Sequence, residues 1–110
     1  MKRYIKADVI LPEDEGFFEQ MDLAENPSIS PRTLLRLYNS PNDAVRVRVV
    51  MNPSAPREIL EDAVYGKNRM LKLCVAQNPN LPNYLYDYLV NHSTKEVQKM
   101  ARDARRRLGL

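Results

Sequence analysis

An Asn-Pro pair recurs in this chain at a constant interval, and that interval constrains the fold more than any other feature. The pairs begin at Asn26, Asn52 and Asn78, so 26 residues separate each pair from the next. A second proline follows each pair, at Pro31, Pro56 and Pro82. A fixed period of about 20 to 50 residues is typical of repeat proteins, in which each unit buries its apolar face against its neighbours.

Apolar residues align at the same period, with one extra residue between the prolines of the first unit. The aligned sets are Val45, Leu71 and Val97; Val49, Val75 and Ala101; and Leu34, Ile59 and Leu85. Each set takes one residue from each unit, which predicts a shared core. We therefore expect three repeats, at residues 26–51, 52–77 and 78–110.

Each unit divides into two helices. Pro31, Pro56 and Pro82 suit the first helical position, where a missing N–H costs nothing. The second helix should end at each Asn-Pro, because the residue before proline is pushed out of the α region. The Asn side chain is expected to bond free backbone groups at that corner.

Signals for helix starts and stops lie between these two helices. Ser40 is expected to cap the second helix of the first unit, and Ser93 with Glu96 reads as a capping box in the third. Gly66 is expected to be a left-handed stop before the second helix of the middle unit.

Residues 1–25 form an atypical N-terminal part. Lys2–Leu11 alternates weakly, as an extended segment does, and Glu13–Glu25 reads as half a unit that caps the first repeat. Phe17 and Phe18 either belong to this cap or form an exposed aromatic binding patch. The predicted fold is all-α: a short right-handed α-solenoid of three repeats of about 26 residues, with about seven short helices and an N-terminal capping helix.

The string Val-Arg-x-x-Val-x-x-Asn-Pro-x-x-Pro, from Val45 to Pro56, resembles the leucine-rich repeat variant family, which is allied to HEAT-like repeats. The resemblance covers about residues 20–104, and the opening MKRYIKADV is similar to uncharacterised bacterial and phage-borne repeat proteins. It implies a right-handed α-solenoid and no common enzymatic activity. One founding member carries an iron–sulfur cluster on a cysteine-rich segment, but Cys74 is the only cysteine of this chain.

Residues for catalysis or metal binding are scarce. Cys74 and His92 are single and 18 residues apart, and they read as a packed small hydrophobe and a solvated turn residue. We therefore expect no enzymatic activity, no cofactor and no metal. The chain lacks an apolar run of the ~20 residues needed for a membrane span, and the lone cysteine with no signal-peptide cleavage site favours a cytoplasmic location.

Basic residues are the first candidates for a binding surface. Residues 1–25 carry a net charge of −4 and residues 26–110 carry +7. Arg46 and Lys72 occupy one repeat column, Arg69 belongs to another, and Arg48 lies on the same set of second helices. Such columns could form a basic ridge for an acidic protein or a nucleic-acid backbone, or simply a solvated face.

Tyrosines on the first helix of the third unit are the second candidates. Helical geometry places Tyr84 at the surface and Tyr88 at its margin, and Tyr beside Arg is a favoured interface composition. The alternative is that these rings shield the end of the stack. The leading hypothesis is a non-catalytic scaffold that binds another macromolecule, most readily a protein, as a regulator or inhibitor of a larger assembly. The rival is sequence-independent binding to the DNA or RNA backbone.

Overall fold

The computed structural model describes residues 16–110, and this part of the chain is all-helical. Its helices are α1 (Phe17–Glu25), α2 (Pro31–Tyr38), α3 (Asp43–Met51), α4 (Arg57–Tyr65), α5 (Arg69–Val75), α6 (Asn83–His92) and α7 (Lys95–Arg107). No strand occurs among these residues, which confirms the predicted all-α class and helix number. The predicted extended segment at Lys2–Leu11 lies outside the described residues.

The helices pack in two rows. The odd-numbered helices follow one another, with α1 against α3, α3 against α5 and α5 against α7. Each even-numbered helix packs on the odd-numbered helix that follows it, and α4 also packs on α6. The assembly measures 40 × 31 × 19 Å. None of the helices within residues 16–110 combines the length and apolarity that a membrane span requires.

The aligned apolar residues form the core, as the period predicts. All nine members of the three sets are at most 2% exposed. The odd-numbered helices contribute the sets beginning at Val45 and Val49, and the even-numbered helices contribute the set beginning at Leu34. Repetition in the sequence therefore corresponds to repeated burial in the structure.

Asn52 and Asn78 link successive helices of the odd-numbered row through the same bonds. The Asn52 amide nitrogen donates to the carbonyls of Ala24 (2.8 Å) and Asn26 (2.9 Å), at the end of α1. Asn78 donates in the same way to Val50 (2.8 Å) and Asn52 (2.9 Å), at the end of α3. Carbonyl groups at a helix end have no hydrogen-bond donor within the helix. The side-chain amides of Asn52 and Asn78 provide that donor. The predicted role of the asparagines is confirmed.

The oxygen of each asparagine side chain closes a tight turn over the following proline. It accepts from the backbone N–H two residues on, at 2.9 Å for Asn26 and 2.8 Å for both Asn52 and Asn78. This is the Asx turn that asparagine favours. Asn26 differs from the other two because it is exposed and its amide nitrogen donates to no residue between 16 and 110.

Three predicted helix starts are wrong by one or two residues. Pro31 opens α2 as expected, but Pro56 and Pro82 are themselves the N-cap residues of α4 and α6. Asn42 caps α3 by accepting from the Ala44 N–H at 2.9 Å. The Ser40 hydroxyl instead accepts from the Asn42 N–H and donates to Gln20 of α1. Ser40 therefore bonds to another helix and does not cap α3.

The predicted capping box at Ser93 is also wrong. Thr94 caps α7 by accepting from the Val97 N–H, and Glu96 pairs with Arg69 of α5 instead of returning to the cap. The Ser93 hydroxyl is buried and has no hydrogen-bond partner within the described part of the chain. Because the Glu96 carboxylate pairs with Arg69, it does not form the hydrogen bond that a capping box requires.

Gly66 ends α4 for a reason other than the expected one. Its φ of −77° and ψ of −175° are extended, so no left-handed conformation is present. A Cβ at this position would lie 2.7 Å from the carbonyl oxygen of Asp62. Glycine is needed here for space, because the chain leaves the helix in close contact with its last turn.

Helix α1 packs on α2 and α3 mainly through its C-terminal half, and its two phenylalanines lie largely at the surface. Ala24 is fully buried, and Met21 and Leu23 pack against the core. Phe17 is 40% exposed and Phe18 is 79% exposed, with the two rings edge to face.

Candidate functional site

The six residues predicted to bind a partner fall in both rows of helices. Arg46 and Arg48 lie on α3, and Arg69 and Lys72 lie on α5, which packs against α3. Tyr84 and Tyr88 lie on α6, in the even-numbered row. The basic residues and the tyrosines are therefore carried by different rows.

Three of the four basic residues are paired with acids of the same chain. Arg46 contacts Asp43 one turn earlier on α3, at 3.0 Å. Arg48 pairs with Glu25 of α1, and Arg69 with Glu96 of α7. Each pair is at least partly exposed, so it contributes little to stability, but it offsets positive charge on the surface.

Arg46 also packs against a buried tyrosine. Its guanidinium lies 5.6 Å from the centre of the Tyr38 ring. Burial, together with a hydrogen bond from its hydroxyl to Asp62 at 2.8 Å, raises the pKa of Tyr38 well above its usual range. Arg46 is thus part of the packing between α2, α3 and α4.

Lys72 is the exception among the predicted basic residues. It is half-buried on α5, and it makes no ion pair with any residue between 16 and 110. Of the four basic residues that were predicted to form a ridge, Lys72 alone makes no ion pair within the described residues.

Tyr84 and Tyr88 have the exposure that helical geometry predicts. Tyr84 is 44% exposed, whereas Tyr88 is half-buried. The Tyr84 hydroxyl donates to Glu61 of α4, and this hydrogen bond is the main cause of its raised pKa. This hydrogen bond links the Tyr84 ring of α6 to α4.

The structure adds Tyr65 and His92 to these two tyrosines. The Tyr65 ring, on α4 and 46% exposed, lies 4.8 Å from that of Tyr88 at an interplanar angle of 89°. The His92 ring also lies 4.8 Å from that of Tyr88, at an interplanar angle of 35°. We call Tyr65, Tyr84, Tyr88 and His92 the tyrosine face.

The sequence contained a signal for Tyr65. Ile59, Leu60, Ala63 and Val64 are the buried residues of α4. Tyr65 follows Glu61 by four residues and so shares its outward face. His92 was expected in a turn, but it is the last residue of α6, and its position four residues after Tyr88 explains their contact.

Cys74 is the packed residue that the sequence predicts. It is buried in α5, and burial raises the pKa of its thiol despite the nearby charge of Arg48. The thiol is therefore protonated at neutral pH, whereas a nucleophilic cysteine requires a thiolate. Within residues 16–110, no three His, Cys, Asp or Glu side chains are grouped as metal ligands.

Comparison of this chain with protein families, with curated proteins and with solved structures finds no match. The arrangement of its own residues is therefore the basis for a function.

Proposed function

We propose that this protein is a non-catalytic helical repeat scaffold that binds another protein through the tyrosine face. The observation that carries the proposal is the gathering of Tyr65, Tyr84 and Tyr88 from two helices at one surface. Tyrosine is enriched among the few residues that dominate binding energy at protein interfaces. It offers a large apolar area at a low cost in conformational entropy.

The architecture we propose is a right-handed α-solenoid of three repeats, at residues 26–51, 52–77 and 78–110, with residues 1–25 as a cap. The repeated bonds of Asn52 and Asn78 support it, because each amide reaches carbonyls 26 and 28 residues earlier. We place the chain beside the leucine-rich repeat variant and HEAT-like families. A cytoplasmic regulator or inhibitor of a larger assembly is the role that fits such a short array.

Binding to the DNA or RNA backbone ranks below binding to a protein. Backbone recognition depends on cations that neutralise phosphates, and Arg46, Arg48 and Arg69 are each already paired with a carboxylate. Breaking three ion pairs would reduce the gain from three new phosphate contacts.

Site-specific photo-crosslinking tests the proposal. The amino acid p-benzoylphenylalanine is placed at Tyr84 or, as a control, at the exposed Met70 of α5. Irradiation in cell lysate should give a discrete protein adduct from position 84 that nuclease treatment leaves unchanged and that Tyr65→Ala abolishes. Equal adducts from both positions, or adducts that nuclease removes, would refute a protein-binding tyrosine face.

A further inference from the structure

Charge is distributed unevenly among the helices. Helices α4 and α6 together carry four acidic residues and one arginine, a net charge of −3 with His92 neutral. The acids are Glu58, Glu61, Asp62 and Asp87, and the arginine is Arg57. Helix α7 carries six basic and two acidic residues, a net charge of +4. The tyrosine face therefore belongs to the acidic part of a molecule whose net charge is positive.

Three of the four acids on α4 and α6 make no ion pair within the described part of the chain. Glu58, Glu61 and Asp87 make no ion pair with any residue between 16 and 110. On the odd-numbered helices, four of the six carboxylates pair with a cation within the described residues, and Glu19 and Asp22 of α1 are the two that do not. Within residues 16–110, carboxylates without an ion pair therefore lie on α4 and α6 and on the first turns of α1.

Two other tyrosines show how this fold uses an aromatic ring near a cation. The guanidinium of Arg105 lies 4.1 Å from the centre of the Tyr86 ring, and that of Arg46 lies 5.6 Å from Tyr38. Both distances are within the ~6 Å of a cation–π contact. Within the described residues, no guanidinium or ammonium lies over Tyr65, Tyr84 or Tyr88.

The rings are spaced to receive more than one cation. Tyr84, Tyr88 and His92 follow one another at intervals of four residues on α6, which is about 6 Å along a helix axis. Side chains on one side of an extended peptide repeat every ~6.6 Å. The perpendicular Tyr65 ring adds a second wall beside Tyr88.

We propose that the tyrosine face, with Glu58, Glu61 and Asp87, binds an extended segment rich in arginine or lysine on the partner protein. This inference rests on the proposed function and names the chemistry of the partner. The rings bind the cationic side chains by cation–π contacts, and the carboxylates supply the opposite charge. A nucleic acid would be repelled by the same carboxylates.

The test uses a fluorescein-labelled peptide of four arginines alternating with serines, titrated with the full chain and followed by fluorescence anisotropy. We expect saturable binding that Tyr65→Ala/Tyr88→Ala weakens about 5- to 30-fold, since two cation–π contacts of ~0.5 to 1 kcal/mol are lost without a change in net charge. Tyr65→Phe/Tyr88→Phe keeps the ring faces and should stay within ~2-fold of the wild type. Circular dichroism verifies that each variant folds.

A matched pair of charge variants separates the face from general attraction. Glu58→Gln/Asp87→Asn should weaken the peptide several-fold, whereas Glu19→Gln/Asp22→Asn on α1, which removes the same charge elsewhere, should not. Equal effects of the two pairs, unchanged binding by the alanine variant, or tighter binding of a glutamate–serine peptide or single-stranded DNA would overturn the inference. If crosslinking at Tyr84 succeeds while the arginine peptide does not bind, the proposed function stands and its cationic partner is rejected.

Discussion

Replacing Asn78 by alanine should destabilise the fold far more than the same change at Asn26. The Asn78 side chain is 3% exposed and makes three hydrogen bonds, to the carbonyls of Val50 and Asn52 and from the N–H of Asn80. A net value of about 1 kcal/mol for each bond gives a loss of about 3 kcal/mol. Asn26 is exposed and makes one such bond, so its replacement should cost below ~1 kcal/mol.

Urea unfolding followed by circular dichroism at 222 nm measures the difference. With a slope of about 2 kcal/mol per molar urea, Asn78→Ala should lower the midpoint by about 1.5 M and Asn26→Ala by less than ~0.5 M. The two proteins differ from the wild type by the same chemical change, so residue type and helix propensity do not enter the comparison.

Asn78→Asp provides a second measurement with the shape of the side chain retained. The carboxylate replaces the donating amide and faces two carbonyls, so this variant should be less stable at neutral pH than Asn78→Ala. The pKa of the introduced carboxyl group should be higher in the folded state than in the unfolded state. Part of the lost stability should therefore return as the pH falls and the protonated carboxyl group becomes a hydrogen-bond donor. Equal midpoints for the alanine variants at positions 26 and 78 would refute the claim that these bonds hold successive helices together.

Three further outcomes are expected. Gly66→Ala should lower the free energy of unfolding by about 1 to 3 kcal/mol, because its Cβ would lie 2.7 Å from the Asp62 carbonyl oxygen. Gly16→Ala should be tolerated, since the nearest atom to its Cβ would be 3.5 Å away. Thermal unfolding of the two variants measures the difference. The raised pKa of Tyr38 means that its contribution to stability is present below pH ~10, the unfolded value, and is lost as the pH rises towards the folded value. Urea midpoints between pH 8 and 11 should therefore fall less steeply in Tyr38→Phe than in the wild type, and parallel curves would contradict this. Inserting a second copy of residues 52–77 after Gln77 should yield a folded protein with unchanged ellipticity per residue, whereas aggregation or lost helicity would argue against a solenoid.

The features that repeat were predictable from the sequence. Val45, Leu71 and Val97 could be identified as core because the same apolar position recurs at the period of 26, and one burial pattern satisfies all three units. The role of Asn52 and Asn78 followed from the backbone restriction that proline imposes. Repetition supplied, in effect, three observations of each position.

Features that depend on contact between particular side chains could not be predicted in this way. Ser40 and Asn42 are both good caps, and the choice between them depends on Gln20, which is 20 residues from Ser40. The pairing of Arg69 with Glu96 spans 27 residues and displaced the capping box expected at Ser93. The basic columns in the sequence gave no indication that Arg46, Arg48 and Arg69 are paired with carboxylates.

Two of the four residues of the tyrosine face were predicted from the sequence. Tyr84 and Tyr88 were placed by helical periodicity alone, within a single helix. Tyr65 joins them only through the packing of α4 on α6, and that relation depends on the angle at which the two helices meet. The periodicity of a single helix therefore identified the tyrosines of α6 but did not identify Tyr65 of α4.

In the described part of the chain, the side-chain hydrogen bonds between different helices connect residues that are close in the sequence. Within residues 16–110, they connect residues between 20 and 28 positions apart, and none ties the first helix to the last. Closing loops of this length costs little entropy, so the search for the native topology is brief. The same short reach predicts how the protein responds to mechanical force: a pull on residues 16 and 110 is transmitted in series from each helix to its neighbour, so the helices should detach one after another from the ends.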